Sequence, residues 1–239
     1  MNGNLFLAGG AEFGGGMAAL DLRLLQLSGA FAAESGRQEI VCIVPTAAAF
    51  DGNHERAGAN GVRWFRKLGV RQVASLPLID RLSADTPEVV SALRIASLIY
   101  LLGGSPGYLA QALAGSRSWQ AALQAYGDGA ALGGSSAGAM VLGGVFYDPY
   151  REQVMPGLGV LPGVCIVPHH TRYGKNWAPR LRAQMPSLIL LGIDEQTGVI
   201  DDGEDGAWRV YGQGSATVYD EGGMSVYRAG DQFRIIQAG

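Results

Sequence analysis

The chain has 239 residues, with 18 Lys+Arg against 21 Asp+Glu and a formal net charge of −3. That length buries a sizeable core and suits one domain over residues 1–239, or a domain with a small appendage, while the near-neutral charge gives no electrostatic footprint for nucleic acid or an anionic membrane. Hydrophobic residues are 48% and charged residues 16%, a globular composition; 2 Cys exclude a disulfide scaffold and a cysteine zinc site, and 3 His speak against a polyhistidine metal centre.

The first residues, MNGNLFLAGGAEFGGG, have no basic n-region, and the apolar run Leu5–Ala8 is too short for a signal peptide. No stretch approaches the roughly 20 apolar residues that cross a bilayer. Cys42 and Cys165 sit in apolar runs where a reduced, buried thiol is the ordinary state. A cytoplasmic protein is the expectation.

In chain order, Asn4–Ala8 reads as a strand ending in Gly9-Gly10. Gly16–Glu34 reads as a helix, with Met17, Leu20, Leu24, Leu27 and Phe31 at 3/4 spacing and Gly36 as its stop. Glu39–Val44 is a strand closed by Pro45, Arg56–Leu68 a helix ended by Gly69, and Val70–Leu76 a further strand. Thr86-Pro87 opens a helix through Ala96. Ser97–Leu102 is a strand followed by Gly103-Gly104, two helical stretches come next, and Ala130–Gly134 leads into Ser135-Ser136-Ala137-Gly138. Continuous apolar strands alternating with helices predict a three-layer, doubly wound, mostly parallel sheet. After about Ser187, short β-rich pieces (LILLGI, TGVID, AWRVYG, SATVYD, MSVYRAG, QFRIIQ) predict antiparallel strands at the sheet edge. This β-rich third is also a candidate homodimer surface.

The pattern G-x-S-x-G describes a sharp strand-to-helix turn that lifts a serine hydroxyl clear of a sheet. It occurs twice, at Gly103–Gly107 and Gly134–Gly138. The N–H of the residue after such a nucleophile belongs to the oxyanion hole. Pro106 has no N–H and restrains Ser105 toward extended conformations. Ala137 supplies that N–H, so Ser136 is the better nucleophile. Gly103-Gly104, at a neighbouring strand end, can point a second N–H at the same oxygen.

A serine nucleophile needs a base. His54 lies in the polar stretch DGNHERAGANG and reads as a surface loop residue. His169 and His170 follow the apolar run Val164–Val167, and neighbours on an extended segment face opposite ways, so at most one should reach Ser136. For the orienting carboxylate, Asp148 and Glu152 fit an order Ser, acid, His; Asp194 and Glu195 fit Ser, His, acid.

The blocks GGAE (Gly9–Glu12), IVPTAAAF, FRKLG, IYLLGG, LGGSSAGAM, LPGVCIVPHH and GIDEQTGVI together resemble the peptidase E (aspartyl dipeptidase) and cyanophycinase family. The resemblance covers most of the chain. It implies a class-I glutamine-amidotransferase-like (flavodoxin-like) fold, a serine dipeptidase or exopeptidase activity on short peptides, and no metal or organic cofactor. Carried over by motif, it implies a Ser136, His169, Glu195 triad, oxyanion N–H groups at Gly104 and Ala137, and substrate-binding roles around Glu12, Ser105, His170, Arg172 and Arg180. Cyanophycinases carry a loop resembling G-G-D-Q where this chain has Gly103-Gly104-Ser105-Pro106, so the Asp and Gln of that loop are absent. A cyanophycinase-like or other acyl hydrolase, and a non-catalytic small-molecule-binding protein of the same fold, are the alternatives.

Overall fold

The computed structural model describes residues 3–235. Its strands are β1 (Leu5–Ala8), β2 (Ile40–Val44), β3 (Gln72–Ser75), β4 (Leu98–Leu101), β5 (Ala131–Ser135), β6 (Gly143–Asp148), β7 (Gln153–Pro156), β8 (Leu161–Val167), β9 (Ile189–Ile193), β10 (Thr197–Ile200), β11 (Trp208–Gly212), β12 (Ser215–Asp220), β13 (Gly223–Arg228) and β14 (Gln232–Phe233). The helices are α1 (Ala18–Glu34), α2 (Thr46–Ala49), α3 (His54–Lys67), α4 (Pro87–Ile95), α5 (Pro106–Leu113), α6 (Arg117–Asp128), α7 (Ala137–Met140) and α8 (Lys175–Gln184). Ile236 and Gln237 of the QFRIIQ piece lie outside the described residues.

One sheet has the order β14-β11-β10-β1-β5-β4-β2-β3. From β1 to β3 its neighbours are parallel; β10, β11 and β14 extend it antiparallel beyond β1. Successive side chains of a strand face opposite ways, and both faces are covered. Phe6, Ala8, Val41, Ile43, Leu98 and Tyr100 meet Met17, Leu20 and Leu24 of the α1 side and Phe65 of α3. Leu5, Leu7, Cys42, Val44, Ile99 and Leu101 meet Val89 and Leu93 of α4 and Trp119 and Ala122 of α6. Uniformly apolar strands and one-sided helices thus yield the expected three layers.

The C-terminal third departs from expectation. Of its strands, β10, β11 and β14 do extend the first sheet, but β9, β12 and β13 join β6, β7 and β8 in a second one, ordered β13-β12-β9-β8-β6-β7. There β6, β8 and β9 run parallel. The reason is burial: every residue of β9 is buried, so it cannot be an edge. One face of this sheet (Phe146, Val164, Ile166, Leu191) continues the larger core, and the other (Tyr147, Cys165, Val167, Leu190) packs on Ala178 and Leu181 of α8. The β6–β7 hairpin, α2 and α8 were not anticipated; α2 is too short to show a period, and α8 carries an internal Pro179.

Helix ends follow local chemistry. Ser116 caps α6 by accepting from Trp119 N at 3.0 Å. Ser105 caps α5 by accepting from Tyr108 N at 3.3 Å, with Pro106 in the first turn.

Candidate active site

Ser136 ends β5 and precedes α7 with φ 52° and ψ −115°. This is a costly conformation for a residue with a Cβ, held because neighbouring backbones crowd the turn. A Cβ on Gly134 or Gly138 would come within 2.4 or 2.2 Å of Leu101 O. His169 follows β8 in a left-handed conformation (φ 48°, ψ 38°), and its carbonyl accepts from the N–H groups of Arg172, Tyr173 and Gly174. A wide helical turn of this kind is frequent at functional positions. Glu195 follows β9, the parallel neighbour of β8, with Val167 opposite Gly192.

These strand ends converge. Ser136 Oγ lies 2.8 Å from His169 Nε2, and His169 Nδ1 lies 3.1 Å from Glu195 Oε1. The histidine and glutamate side chains are about 30% and 27% exposed, so the imidazole is reachable from solvent on one side. Arg172 Nη1 stands 3.3 Å from the same Glu195 oxygen.

A clasp that sequence reasoning missed joins the two sheets. The successive carbonyls of Ala8, Gly9 and Gly10 accept from the N–H groups of Ser136 (2.9 Å), His169 (2.8 Å) and Gln196 (3.2 Å). One backbone segment therefore fixes all three strand ends that carry the triad geometry. Gly10 has φ +131°, and a Cβ there would sit 2.3 Å from His169 Cε1. The Gly-Gly pair after β1 was the available signal, since glycine marks close backbone approach.

The remaining candidates are placed elsewhere. Asp148 is buried at the end of β6, accepts from Tyr150 N at 2.9 Å and has Arg151 4.0 Å away. Glu152 sits exposed in the β6–β7 turn with φ 52°. Asp194 accepts from Ser215 N and Oγ, and it pairs with His170 rather than His169. His170 is 2% exposed, with Nε2 2.9 Å from Tyr219 Oη and Nδ1 3.4 Å from Asp194 Oδ1. Burial pushes its pKa below the usual histidine value against the opposing pull of Asp194. The expected substrate-binding role for His170 is therefore corrected: left-handed His169 begins a helical turn in which the His170 side chain packs against Tyr219 and Asp194 and not in the cleft. Ser105 is likewise corrected, since it is 3% exposed and its hydroxyl caps α5. Arg180 stands over the Tyr147 ring, 6.0 Å from the centroid, outside the cleft. His54 is the first residue of α3 rather than a loop residue. Cys42 and Cys165 are buried, and desolvation pushes both thiols up to about 12.

A cleft of about 390 Å³ opens over the serine, lined by Gly104, Pro106, Ser136, His169 and the aromatic side chains of Tyr150, Tyr173 and Trp177. Tyr173 and Trp177 stack at 6.4 Å, and their i, i+4 spacing was the sequence signal for this wall. On the far side of Gly103-Gly104 lies a second cavity of about 650 Å³, lined by Glu12, Phe13, Trp64, Arg63, Lys67 and Gly104 among others. Glu12 Oε2 accepts from Ser135 Oγ at 2.9 Å. The N–H groups of Gly104 and Ala137 donate no hydrogen bond among the described residues and flank the serine.

Fold and site together define an α/β protein with a serine on a strained elbow at the junction of two sheets. The sequence profile of Peptidase family S51 matches residues 5–207, and the chain belongs to that family. A cyanophycinase of Synechococcus elongatus is 34% identical over 169 residues, 65% of this chain and 52% of its own length. A cyanophycinase of Nostoc sp. is 30% identical over 174 residues, 68% of this chain and 58% of its own. The chain thus spans little more than half the length of the curated relatives it matches. The crystal structure of a peptidase from an acI-B1 actinobacterium is 30% identical, with a TM-score of 0.85 and 98% of each chain covered. No helix among the described residues is long and apolar enough to cross a membrane.

Proposed function

We propose that this chain is a serine peptidase that hydrolyses short, unbranched peptides through an acyl-enzyme. The observation that carries the reading is the continuous pair of contacts from Ser136 Oγ to His169 Nε2 and from His169 Nδ1 to Glu195 Oε1. His169 takes the hydroxyl proton as Ser136 attacks the scissile carbonyl, then passes it to the leaving amine. Glu195 holds the imidazole with Nδ1 protonated and stabilises the imidazolium. The N–H groups of Gly104 and Ala137 receive the oxyanion, worth about 3–4 kcal/mol for a donor in such a site. Water then hydrolyses the acyl-enzyme by the reverse proton path. Among the described residues, no group of three or more His, Cys, Asp or Glu is arranged to hold a metal, and the scheme needs none.

The matched relatives named cyanophycinase make that activity the second reading. Cyanophycin has an Asp backbone bearing Arg on its side chains, so its cleavage calls for polar groups around a branched, charged unit. The Gly103–Gly107 loop supports the unbranched substrate instead: Ser105 is committed to its helix cap and Pro106 offers no donor. A panel of Asp-Leu, Ala-Leu, Gly-Leu and β-Asp-Arg tests the choice. The dipeptides should exceed β-Asp-Arg in kcat/KM by about 30-fold or more, the cost of an unpaired charge in a site. A preference for β-Asp-Arg would reverse the assignment.

A further inference from the structure

We infer that the rings beside Ser136 form a specificity pocket for a large apolar or aromatic side chain next to the scissile bond, so that the enzyme favours residues such as Phe there and turns away acidic ones. This rests on the peptidase reading of the Ser136 site and deepens it by naming the side-chain class.

The walls come from three segments. Pro106 opens α5, Tyr150 stands in the β6–β7 turn, and Tyr173 and Trp177 lie in the turn after β8 and the start of α8. With Met140 they line a cleft of about 390 Å³, within the roughly 300–1,000 Å³ of small-molecule sites. Tyr150 and Tyr173 are exposed, so their ring surface stands in water and gains by being covered with an apolar side chain. The rings are already set in place. Trp177 lies 5.2 Å from the Tyr147 ring and stacks on Tyr173 at 6.4 Å, while Tyr150 meets Phe50 edge-on at 5.4 Å. Tyr173 also stands edge-on to His169 at 6.4 Å, which ties this wall to the catalytic base. Rings packed in advance lose little freedom when a ligand arrives.

Charge points the same way. No Asp, Glu, Lys or Arg among the described residues lines the cleft. The nearby arginines are engaged elsewhere. Arg172 stands 3.3 Å from Glu195, Arg151 4.0 Å from Asp148, and Arg180 over the Tyr147 ring at 6.0 Å. Arg182 donates to the carbonyls of Pro186 and Leu188 at 2.7 Å each. Lys175 is exposed and outside the lining. An acidic side chain would meet the electron-rich faces of the rings with no cation to compensate its lost hydration. An apolar side chain gives up no polar partner there.

The test measures kcat/KM of the wild type for Phe-Ala, Asp-Ala and Lys-Ala, for Ala-Phe, Ala-Asp and Ala-Lys, and for Ala-Ala. Calorimetric Kd values for the same peptides are taken on Ser136→Ala, where binding is read without turnover. One methylene in an apolar pocket is worth about 10–200-fold, so a Phe peptide in at least one order should exceed Ala-Ala by about 100-fold or more, and its Asp counterpart by at least as much. The order that wins shows whether the pocket takes the acyl residue or the leaving one. Tyr150→Ala and Trp177→Ala should each reduce the Phe-to-Ala ratio by about tenfold or more, and Trp177→Phe should restore most of it. Should Trp177→Ala not fold, Tyr150→Ala on its exposed turn still gives the reading. A flat series in both orders, a preference for Asp or Lys, or a ratio that survives both substitutions would overturn the pocket with the serine reading intact. Kd values that favour Phe, with no hydrolysis by the wild type, would uphold the pocket and remove the peptidase reading.

Discussion

Replacing Gly10 by Ala puts a methyl carbon 2.3 Å from His169 Cε1 and 2.6 Å from Nδ1. Ordinary carbon contacts lie at about 3.5–4.0 Å, so the imidazole must retreat by more than about 1 Å. Its Nε2 would then leave the 2.8 Å contact with Ser136. A displacement of about 1 Å in a reacting group costs about 100-fold in rate, so kcat should fall by about that factor or more, with KM little changed. Alanine at φ +131° also strains the backbone by about 1–3 kcal/mol, which lowers the melting temperature by roughly 2–12 °C for a chain of this size. Gly36→Ala separates the two effects: its φ is +67°, and nothing lies within 4 Å of the added carbon. That variant should lose stability and keep kcat. Steady-state dipeptide hydrolysis with thermal melts of both variants is the assay. A Gly10→Ala enzyme within threefold of wild type, or a Gly36→Ala enzyme equally impaired, would refute the reasoning.

Asp21 binds its proton more tightly in the folded state, at about 7 against 3.8. Its contribution to stability is therefore complete below pH 3.8 and lost as pH rises through 7, by about 4 kcal/mol for a shift of this size. Asp21→Asn keeps an acceptor for Trp64 Nε1 and should be more stable than wild type at pH 8 but not at pH 4; urea unfolding with no gain at pH 8 would contradict this. His170→Ala should lower stability by about 2–4 kcal/mol by opening a cavity beside Tyr219 and Asp194, whereas a raised KM at unchanged melting temperature would return His170 to the substrate. Ser105→Ala should retain activity and lose about 1 kcal/mol, the value of a helix cap; loss of turnover there would reinstate the first G-x-S-x-G motif. Alkylating reagents should leave turnover intact on the folded enzyme, because both thiols are buried and pushed up to about 12; rapid stoichiometric inactivation would count against a serine mechanism.

The parallel layers were legible because β1, β2 and β4 are short apolar runs between amphipathic helices, and burial on both faces demands that composition. The two serine motifs were separable because proline's missing N–H is a covalent property that needs no tertiary context. The second sheet was not legible: an apolar run such as Ile189–Ile193 looks the same at the centre of one sheet or another. Choosing His169 over His170 and Glu195 over its neighbours needed the family resemblance, since local spacing leaves each pair equivalent. The fold separates them in the turns that follow β8 and β9: left-handed His169 brings its imidazole between Ser136 and Glu195, while His170 opens the next helical turn and packs on Tyr219 and Asp194. The clasp made by Ala8, Gly9 and Gly10 depends on backbone groups brought together from distant strands, and side-chain identity records it only as paired glycines.

The central claim is that Ser136 is a nucleophile activated by His169 and Glu195. Reaction of the folded protein with a fluorophosphonate, followed by peptide mass mapping, tests it directly. The adduct should form at Ser136 alone and be lost in His169→Ala. Glu195→Gln should slow its formation by orders of magnitude, as for a carboxylate that orients a catalytic histidine. Labelling at Ser105, or labelling of Ser136 that is indifferent to His169→Ala, would contradict the account.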